Sequence, residues 1–296
     1  MTKGRICNSC KSEIQRSELD KNYSICPRCG YYMRFHAKKR ILMLADKNSF
    51  HEWDADTKWD NPLDDNIYVK KLEDTTAKHN LNDAIVTGEM SIEGMRVAIG
   101  VMDSRFMMAS MGRVVGEKVT RLFEKATKKK LPVILFCCSG GARMQEGIIA
   151  LMQMEKTAAA VRRHSDTGCL YISVLTNPTM GGVTASFAML ADIILAERGA
   201  VIGFAGARVI EQNTGQKLPE GFQTSDFQKK HGFVDGIVGR ETLKEDLIHI
   251  LKLHIVTKKV IKNLQRTKIK SAYVENRVDS KTAWEKVLLA RSRERP

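Results

Sequence analysis

The sequence predicts an α/β protein with a small cysteine-rich module at its N-terminus. Two apolar runs, residues 132–138 and 170–176, have the length and continuity of strands that are buried on both faces. Each run ends at a turn that contains a glycine pair, and a helical pattern of apolar residues follows each turn. Strands and helices that alternate in this order form an α/β domain.

The N-terminal module carries four of the seven cysteines as two C-x2-C pairs. The four are Cys7, Cys10, Cys26 and Cys29. This spacing is typical of a structural zinc ribbon, in which four thiolates fill the coordination tetrahedron and leave no position for water. The alternatives are two disulfides or four unrelated thiols. Because no apolar secretory segment follows the first residues, and no stretch is long and apolar enough to span a membrane, we expect a cytoplasmic chain with reduced thiols.

Aromatic and basic side chains interleave directly after the ribbon, from Tyr31 to Arg40, in a chain whose formal net charge is +14. This composition suits stacking on bases and pairing with phosphates. The reading we favour is a ribbon packed on its own protein, with Tyr32 and Phe35 buried at the junction, because no nucleic-acid-binding motif accompanies the patch. Nucleic-acid binding by this patch is a second hypothesis, for an additional function of the chain.

Local patterns predict the segments that follow the ribbon. Residues 37–44 have the apolar spacing of a short helix, whereas residues 46–81 form an acidic connector with little periodicity. Two strand-like runs, 84–90 and 96–102, flank Glu93-Gly94, which predicts a hairpin.

Strands and helices alternate through the rest of the chain. A helix from about residue 110 ends near residue 130, because Leu131-Pro132 cannot continue it. The elements predicted after it are a strand at 132–138, a helix at 144–163, a strand at 170–176, a helix at 183–190, strands near 193–203, a helix at 224–231, a strand at 234–238, and helices at 241–264 and 281–291. The predicted domains are a zinc ribbon at 1–36, a helical or irregular connector at 37–82, a core at 83–240 and a helical C-terminal extension at 241–296.

The glycine pairs, Gly140-Gly141 and Gly181-Gly182, are the candidate functional feature. Glycine tolerates positive φ and lets a ligand approach the main chain closely. The first N–H groups of a helix have no intrahelical partner and carry the positive end of its dipole. Two such turns aimed at one point would stabilise a negatively charged oxygen. The alternative is that the glycines only permit tight turns.

The ribbon and three further segments together resemble the β subunits of bacterial acetyl-CoA carboxylase carboxyltransferase. The segments are GGARMQE at 140–146, PTMGGVTASFAM at 178–189 and GFAGARVIEQ at 203–212. The resemblance runs from about residue 5 to residue 255, and the combination is more specific than any one motif. It implies a crotonase-type fold, a ββα superhelix.

The resemblance also implies a function. The family passes a carboxyl group from carboxybiotin, on a biotin carboxyl carrier protein, to acetyl-CoA and forms malonyl-CoA, the first committed step of fatty acid synthesis. It implies a heterotetramer of two α and two β subunits, with biotin carboxylase in the larger ATP-dependent complex and a second oxyanion hole on the α subunit. By resemblance, the thioester oxygen receives main-chain N–H groups from Gly140, Gly141, Ala142, Gly181 and Gly182.

The positive charge suits the phosphates of CoA, and the candidate contacts are Arg113, Lys118, Arg143 and Arg208. No histidine or carboxylate stands in a recognisable base position, which agrees with a proton acceptor on biotin, the ureide nitrogen. A hydratase or isomerase of the same fold is one alternative, but it needs placed carboxylates, and Glu146 is the only acid close to a glycine pair. A nucleic-acid-binding regulator built on the ribbon is an alternative from another class.

Overall fold

The computed structural model describes residues 4–254 and 282–291. Residues 4–254 belong to one compact unit, and residues 282–291 belong to a second. The strands are β1 (Arg5–Ile6), β2 (Glu13–Ile14), β3 (His51–Trp53), β4 (Ile85–Ile92), β5 (Met95–Met102), β6 (Val133–Ser139), β7 (Tyr171–Met180), β8 (Ile193–Glu197), β9 (Ile202–Gly203) and β10 (Gly236–Val238). The helices are α1 (Arg16–Lys21), α2 (Ala37–Leu44), α3 (Asn66–His79), α4 (Arg113–Lys129), α5 (Gly147–Ser165), α6 (Gly181–Thr184), α7 (Ala207–Thr214), α8 (Ser225–Lys230), α9 (Leu243–His254) and α10 (Ala283–Arg291).

An eight-stranded sheet organises the larger unit, which confirms the predicted α/β class. Its order is β10-β8-β7-β6-β5-β4-β3, and β9 pairs with the end of β7. Strands β5 to β8 and β10 run parallel, whereas β3, β4 and β5 are antiparallel. Every residue of β6 is buried, as expected for a central parallel strand with both faces covered. Helix α4 packs against α5 and against β4 and β5.

The predicted hairpin is confirmed. Strands β4 and β5 pair along their whole length, from Ile85 opposite Met102 to Ile92 opposite Met95. The turn residues have positive φ, 49° at Glu93 and 76° at Gly94. Two such residues in succession form the tight turn whose twist matches that of the strands.

Several predicted helices are also confirmed. Helix α2 has the predicted bounds, and α4 ends just before Leu131-Pro132. Helix α8 is capped by Thr224, whose Oγ1 accepts the N–H of Phe227 at 3.2 Å. Helix α9 covers the first part of the predicted 241–264 helix, and the remainder lies outside the described residues. In the second unit, α10 begins with a capping box in which Thr282 and Glu285 bond each other reciprocally.

Residues 46–81 of the predicted helical or irregular connector contain two regular elements that the sequence pattern did not reveal. This segment contains β3 at the sheet edge and the 14-residue helix α3. The side chain of Asp65 caps α3 by accepting the N–H groups of Ile67 and Tyr68. Only Tyr68 and Leu72 of α3 are buried, so the apolar face is too narrow to produce a clear helical pattern.

The predicted continuous helix at 183–190 is wrong. Helix α6 ends at Thr184, and a separate 3-10 turn covers Phe187–Met189. Ser186 lies between them in a non-helical conformation, with φ −135° and ψ −126°, and its hydroxyl donates to the Gly182 carbonyl at 2.6 Å. A serine side chain that bonds the main chain in this way competes with helix continuation. Helix α7 was not predicted, and it has no buried residue.

Candidate active site

The first glycine turn follows the end of β6. Ser139 is buried, and its hydroxyl accepts the Gly141 N–H at 2.9 Å and donates to the Gly141 carbonyl at 3.1 Å. The Gly140 N–H donates to the Met108 carbonyl at 2.9 Å. Gly141 has φ +118°, a conformation that side-chain-bearing residues rarely adopt. Ser139 therefore shapes the turn through both of its hydrogen bonds.

The second glycine turn follows the end of β7 and opens α6. Gly181 has φ +59°, and its N–H donates to the Phe204 carbonyl at 2.9 Å. Gly182 is buried, and a Cβ at this position would contact Met111, Met154 and the Cβ of Ala142. The Phe204 carbonyl thus accepts a hydrogen bond from the second turn, as the Met108 carbonyl does from the first.

The two turns touch each other. A Cβ added to Gly181 would lie 2.9 Å from the Cα of Gly141 and 3.9 Å from the nitrogen of Ala142. A contact below 3.0 Å is one that real Cβ atoms essentially never make. Glycine is therefore required at Gly181 by both its φ angle and this close main-chain approach.

Two of the predicted N–H donors have no protein acceptor in the part of the chain that the structure describes. Of the five predicted donors, Gly140, Gly141 and Gly181 already donate to protein oxygens. Within residues 4–254 and 282–291, no acceptor receives the N–H of Ala142 or of Gly182. These two residues are neighbours across the contact, because a Cβ on Gly182 would lie 3.6 Å from the Cβ of Ala142. Two N–H groups with no acceptor among the described residues therefore belong to neighbouring residues at the contact between the turns.

A buried ionic network holds the chain directly after Ala142. Both terminal nitrogens of Arg143 bond Asp83, at 3.0 and 2.7 Å, and its Nε bonds the Ser110 hydroxyl at 3.1 Å. Burial opposes the charge of Arg143, but the Asp83 carboxylate outweighs burial and raises the pKa of the guanidinium. Glu146 accepts the Tyr68 hydroxyl at 2.6 Å and the Arg113 N–H at 2.5 Å. Glu146 is therefore held by structural hydrogen bonds. This argues against the hydratase hypothesis, in which Glu146 would have to transfer a proton.

The four predicted CoA contacts lie in different surroundings. Arg143 is fully buried in the network above, and Arg113 pairs through its side chain with Asp60. Lys118 is 3% exposed, and burial lowers its pKa; it lines a small cavity of about 180 Å³. Arg208 is exposed on α7. Among the described residues, Arg143 alone of the four lines the cavity beside the glycine turns.

That cavity has a volume of about 830 Å³ and opens at Gly140 and Ala142. Its opposite wall is helix α3, which the sequence analysis missed. The basic side chains that line this cavity, besides Arg143, are Lys70, Lys71, Lys78 and Arg105. The only sequence signal for this wall is the run of lysines between Asp65 and Asn80, which would have pointed to it if the helix had been recognised.

The four N-terminal cysteines form one cluster that can hold a metal ion, with their ligand atoms all within 4.8 Å of one another. The Sγ atoms of Cys7 and Cys29 lie 3.7 Å apart, as do those of Cys10 and Cys26. Sulfur atoms at about 2.3 Å from a tetrahedral zinc ion are separated by about 3.8 Å. The donor set and its spacing therefore fit Zn²⁺. Cys137 and Cys138 lie elsewhere, in β6, where burial raises the pKa of both thiols to about 12, so they act as small apolar residues.

A second buried ionic network joins the ribbon to the sheet. Arg240 makes a bidentate pair with Glu197, at 2.9 and 2.8 Å, and donates to the ribbon carbonyl of Met33 at 2.8 Å. Arg40 lies 2.6 Å from the same carboxylate. Burial favours the neutral acid, but the two arginines outweigh it and lower the pKa of Glu197 to about 2. Tyr32 and Phe35 are part-buried beside Arg240, in agreement with the favoured reading of this patch.

A covered parallel sheet whose two strand-end glycine turns meet beside a large cavity is typical of an α/β enzyme with a ligand site at the ends of its strands. The sequence model of the family described as "Carboxyl transferase domain" matches residues 34–268. The acetyl-coenzyme A carboxylase carboxyl transferase subunit beta of Clostridium botulinum (strain Kyoto / Type A2) is 53% identical over 248 residues, 84% of this chain and 86% of its own. The same subunit of Desulforamulus reducens is 54% identical over 248 residues, 84% of this chain and 86% of its own.

Solved structures agree with this result. The transcarboxylase 12S, solved as a hexamer with methylmalonyl-coenzyme A, superposes with a TM-score of 0.63 at 26% identity, over 74% of this chain and 41% of that one. This chain therefore spans about two fifths of the transcarboxylase chain. The Pseudomonas malonate decarboxylase MdcD–MdcE heterodimer superposes with a TM-score of 0.58 at 21% identity, over 74% of this chain and 86% of that one, and shows the fold alone.

The chain belongs to the carboxyl transferase family and, within it, to the β subunits of acetyl-CoA carboxylase carboxyltransferase. The crotonase-type fold that the resemblance implied is confirmed. Within the described ranges, no helix has the length and apolar character needed to cross a membrane.

Proposed function

We propose that this chain binds acetyl-CoA and stabilises its thioester enolate while a carboxyl group is transferred to it, giving malonyl-CoA. Removal of a proton from the acetyl methyl group places negative charge on the thioester oxygen. The N–H groups of Ala142 and Gly182 would receive this oxygen. The proposal is supported by the contact between Gly141 and Gly181, beside which the two N–H groups have no acceptor among the described residues.

The 830 Å³ cavity would hold CoA, because it begins at Ala142 and continues along the lysines of α3. A volume of this size suits a large ligand. Lys70, Lys71 and Lys78 are exposed and form no ion pair within the part of the chain that the structure describes. Their charges are thus available to the phosphates of CoA.

The carboxyl donor belongs to another protein. Carboxybiotin on a carrier protein would supply the carboxyl group, and this chain's residues would keep the acceptor thioester in place. The described residues provide no evident general base at the turns, because Glu146 is held by Tyr68, Arg143 and the Arg113 N–H. Proton removal would therefore depend on a group outside this chain.

A partner subunit would cover the site. Large apolar side chains near the two turns are exposed: Met144 at 88%, Phe204 at 69%, Ile148 at 66% and Val209 at 50%. Exposed apolar groups that border a functional site mark an interaction surface. The carboxyltransferase α subunit is the partner we propose, in a complex of two α and two β subunits. Zn²⁺ in the cysteine cluster would hold the ribbon in its folded form.

The proposal is tested by the reverse reaction. The chain is combined with the carboxyltransferase α subunit, malonyl-CoA and biocytin, and carboxyl transfer is followed as formation of acetyl-CoA. We expect turnover from the mixture and none from either subunit alone. An inert mixture whose subunits do associate would overturn the proposal, and hydration of crotonyl-CoA by the isolated chain would favour a hydratase.

A further inference from the structure

A second basic cavity adjoins the CoA cavity proposed above. It has a volume of about 490 Å³ and lies between the zinc ribbon and the end of α3. The two cavities share His79 and Arg105. The remaining basic side chains of this second cavity, which we call the ribbon cavity, come from the ribbon and from the start of α2: Arg5, Arg16, Arg34, His36 and Lys39.

The charge of the ribbon cavity is poorly compensated. Asp20 is the only acidic residue among its lining residues, and it pairs with Lys39. Arg105 pairs with Asp103 at 2.7 Å. Across residues 4–254 and 282–291, no acidic side chain pairs with Arg5, Arg16 or Arg34. The pKa of His36 falls to about 4, first because of burial and then because of Arg105, which agrees with a positive local field.

The ribbon cavity is also connected to the glycine turns. The Nη2 atom of Arg34 lies 3.3 Å from the Sδ atom of Met108. The carbonyl of Met108 accepts the Gly140 N–H at 2.9 Å, and Met108 lines the CoA cavity. A continuous basic groove therefore leads from Ala142, past the lysines of α3, to the arginines of the ribbon.

We propose that the ribbon cavity binds the 3′-phosphorylated nucleotide end of CoA, so that the ribbon acts as part of the substrate site. This inference depends on the proposed function, which fixes the thioester at Ala142 and Gly182. The far end of CoA then reaches the far end of the groove, where the unpaired arginines lie. The cavity is walled by the ribbon on one side and by α3 on the other, which favours a single nucleotide over a nucleic-acid chain.

The test compares two substrates that differ by one phosphate group. The assembled carboxyltransferase, containing this chain, is assayed in reverse with malonyl-CoA and with malonyl-3′-dephospho-CoA. The test variant is Arg5→Gln/Arg16→Gln, because neither arginine contacts Met108. The control is Lys47→Gln/Lys128→Gln, which removes the same charge at two exposed lysines outside the CoA and ribbon cavities.

We expect the test variant to raise KM for malonyl-CoA about tenfold, as befits two lost charge contacts, with kcat retained. KM for the dephospho substrate should not change, and the control variant should match the wild type for both. Equal effects on the two substrates, or no effect on either, would overturn the inference and leave the proposed function standing. So would loss of single-stranded RNA binding by the test variant with both KM values unchanged.

Binding measurements keep the two hypotheses separate if turnover fails. Calorimetric titration of the same complexes with CoA and 3′-dephospho-CoA should show tighter binding of CoA by the wild type and equal binding by the test variant. A wild-type complex that binds both ligands equally would contradict the ribbon cavity, whatever its catalytic activity.

Discussion

The glycine turns and the zinc ribbon use the chain in opposite ways. In the proposed site the turns act through main-chain N–H groups, and the side chains of Asp83 and Arg143 pair beside them and hold the backbone. The ribbon acts through four side chains, and its own apolar cluster is small: Cys7, Ile14, Leu19, Cys26 and Met33. We therefore expect the turns to be sensitive to changes in backbone conformation, whereas the ribbon should be sensitive to substitution of its four cysteines.

Removal of the metal should produce the largest loss of stability, and this loss should be confined to the fold of the ribbon. A cluster this small cannot stabilise a fold unaided, and structural zinc contributes on the order of 10 kcal/mol or more to such modules. Cys26→Ser should abolish zinc binding, measured by elemental analysis, and should expose the ribbon to limited proteolysis. The sheet should keep its far-ultraviolet signal. A ribbon that stays protected without metal would contradict this account.

Loss of the carboxylate that joins the two regions should rank next. Glu197→Gln leaves Arg40 and Arg240 buried without a negative partner, so the free energy of unfolding should fall by about 3–5 kcal/mol. Glu124→Gln is the control, because its pair with Arg163 is exposed and should contribute less than about 1 kcal/mol. Denaturant titration measures the unfolding free energy of both variants. Similar small losses in the two would contradict the proposed role of Glu197 in joining the ribbon to the sheet.

The same carboxylate predicts a pH dependence. The pKa of Glu197 falls from its ordinary value of 4.5 to about 2 in the folded protein, so its stabilising contribution is present above pH 4.5. That contribution should be lost as the pH falls from about 4.5 towards 2. The difference in unfolding free energy between wild type and Glu197→Gln should shrink over this window. A constant difference would contradict the ion-paired assignment.

Gly181→Ala tests the main-chain region directly. The added Cβ would meet the Cα of Gly141 at 2.9 Å, so the turns must separate and the two free N–H groups must move. Loss of one such donor typically lowers kcat by about 10²–10³-fold, roughly 3–4 kcal/mol. Gly168→Ala is matched to it, because Gly168 also has positive φ, +73°, but no atom within 4 Å of the new Cβ. If both variants retain kcat in the reverse assay, the turns are not the site.

The smallest effect should come from the α3 wall. Lys70→Gln/Lys71→Gln removes two exposed charges that line the CoA cavity, so KM for malonyl-CoA should rise a few-fold, with kcat unchanged. Added salt should reduce the difference, because it screens exposed charges. A change in kcat with KM unchanged would place these lysines in another role.

The sequence predicted best where residue type alone carries the chemistry. Cys7, Cys10, Cys26 and Cys29 lie in one cluster that can hold a metal ion, as the spacing of their two C-x2-C pairs predicted. The glycine pairs could be found because each turn contains a residue of positive φ, Gly141 or Gly181, a conformation that other residue types rarely adopt. Which N–H groups stay free was not predictable, since the Gly140 and Gly181 donors are taken by carbonyls of Met108 and Phe204, from distant segments.

The contacts of the basic residues were harder to predict, because a positive charge in the sequence does not show which acidic group or ligand it pairs with. Arg143 lies in a family-like motif, yet its guanidinium pairs with Asp83, a residue sixty positions away. The sequence did not point to the lysines of α3, because that helix buries only Tyr68 and Leu72 and so shows no clear apolar pattern. The predicted domain boundaries and the predicted CoA contacts stay predictions.

The proposed oxyanion site can be seen in a crystal structure of the carboxyltransferase bound to a CoA thioester analogue that mimics the enolate. We predict that its oxygen lies about 2.7–3.1 Å from the nitrogens of Ala142 and Gly182, with the CoA chain running along α3. An oxygen held by other groups, with those two N–H groups turned away from it, would contradict the account.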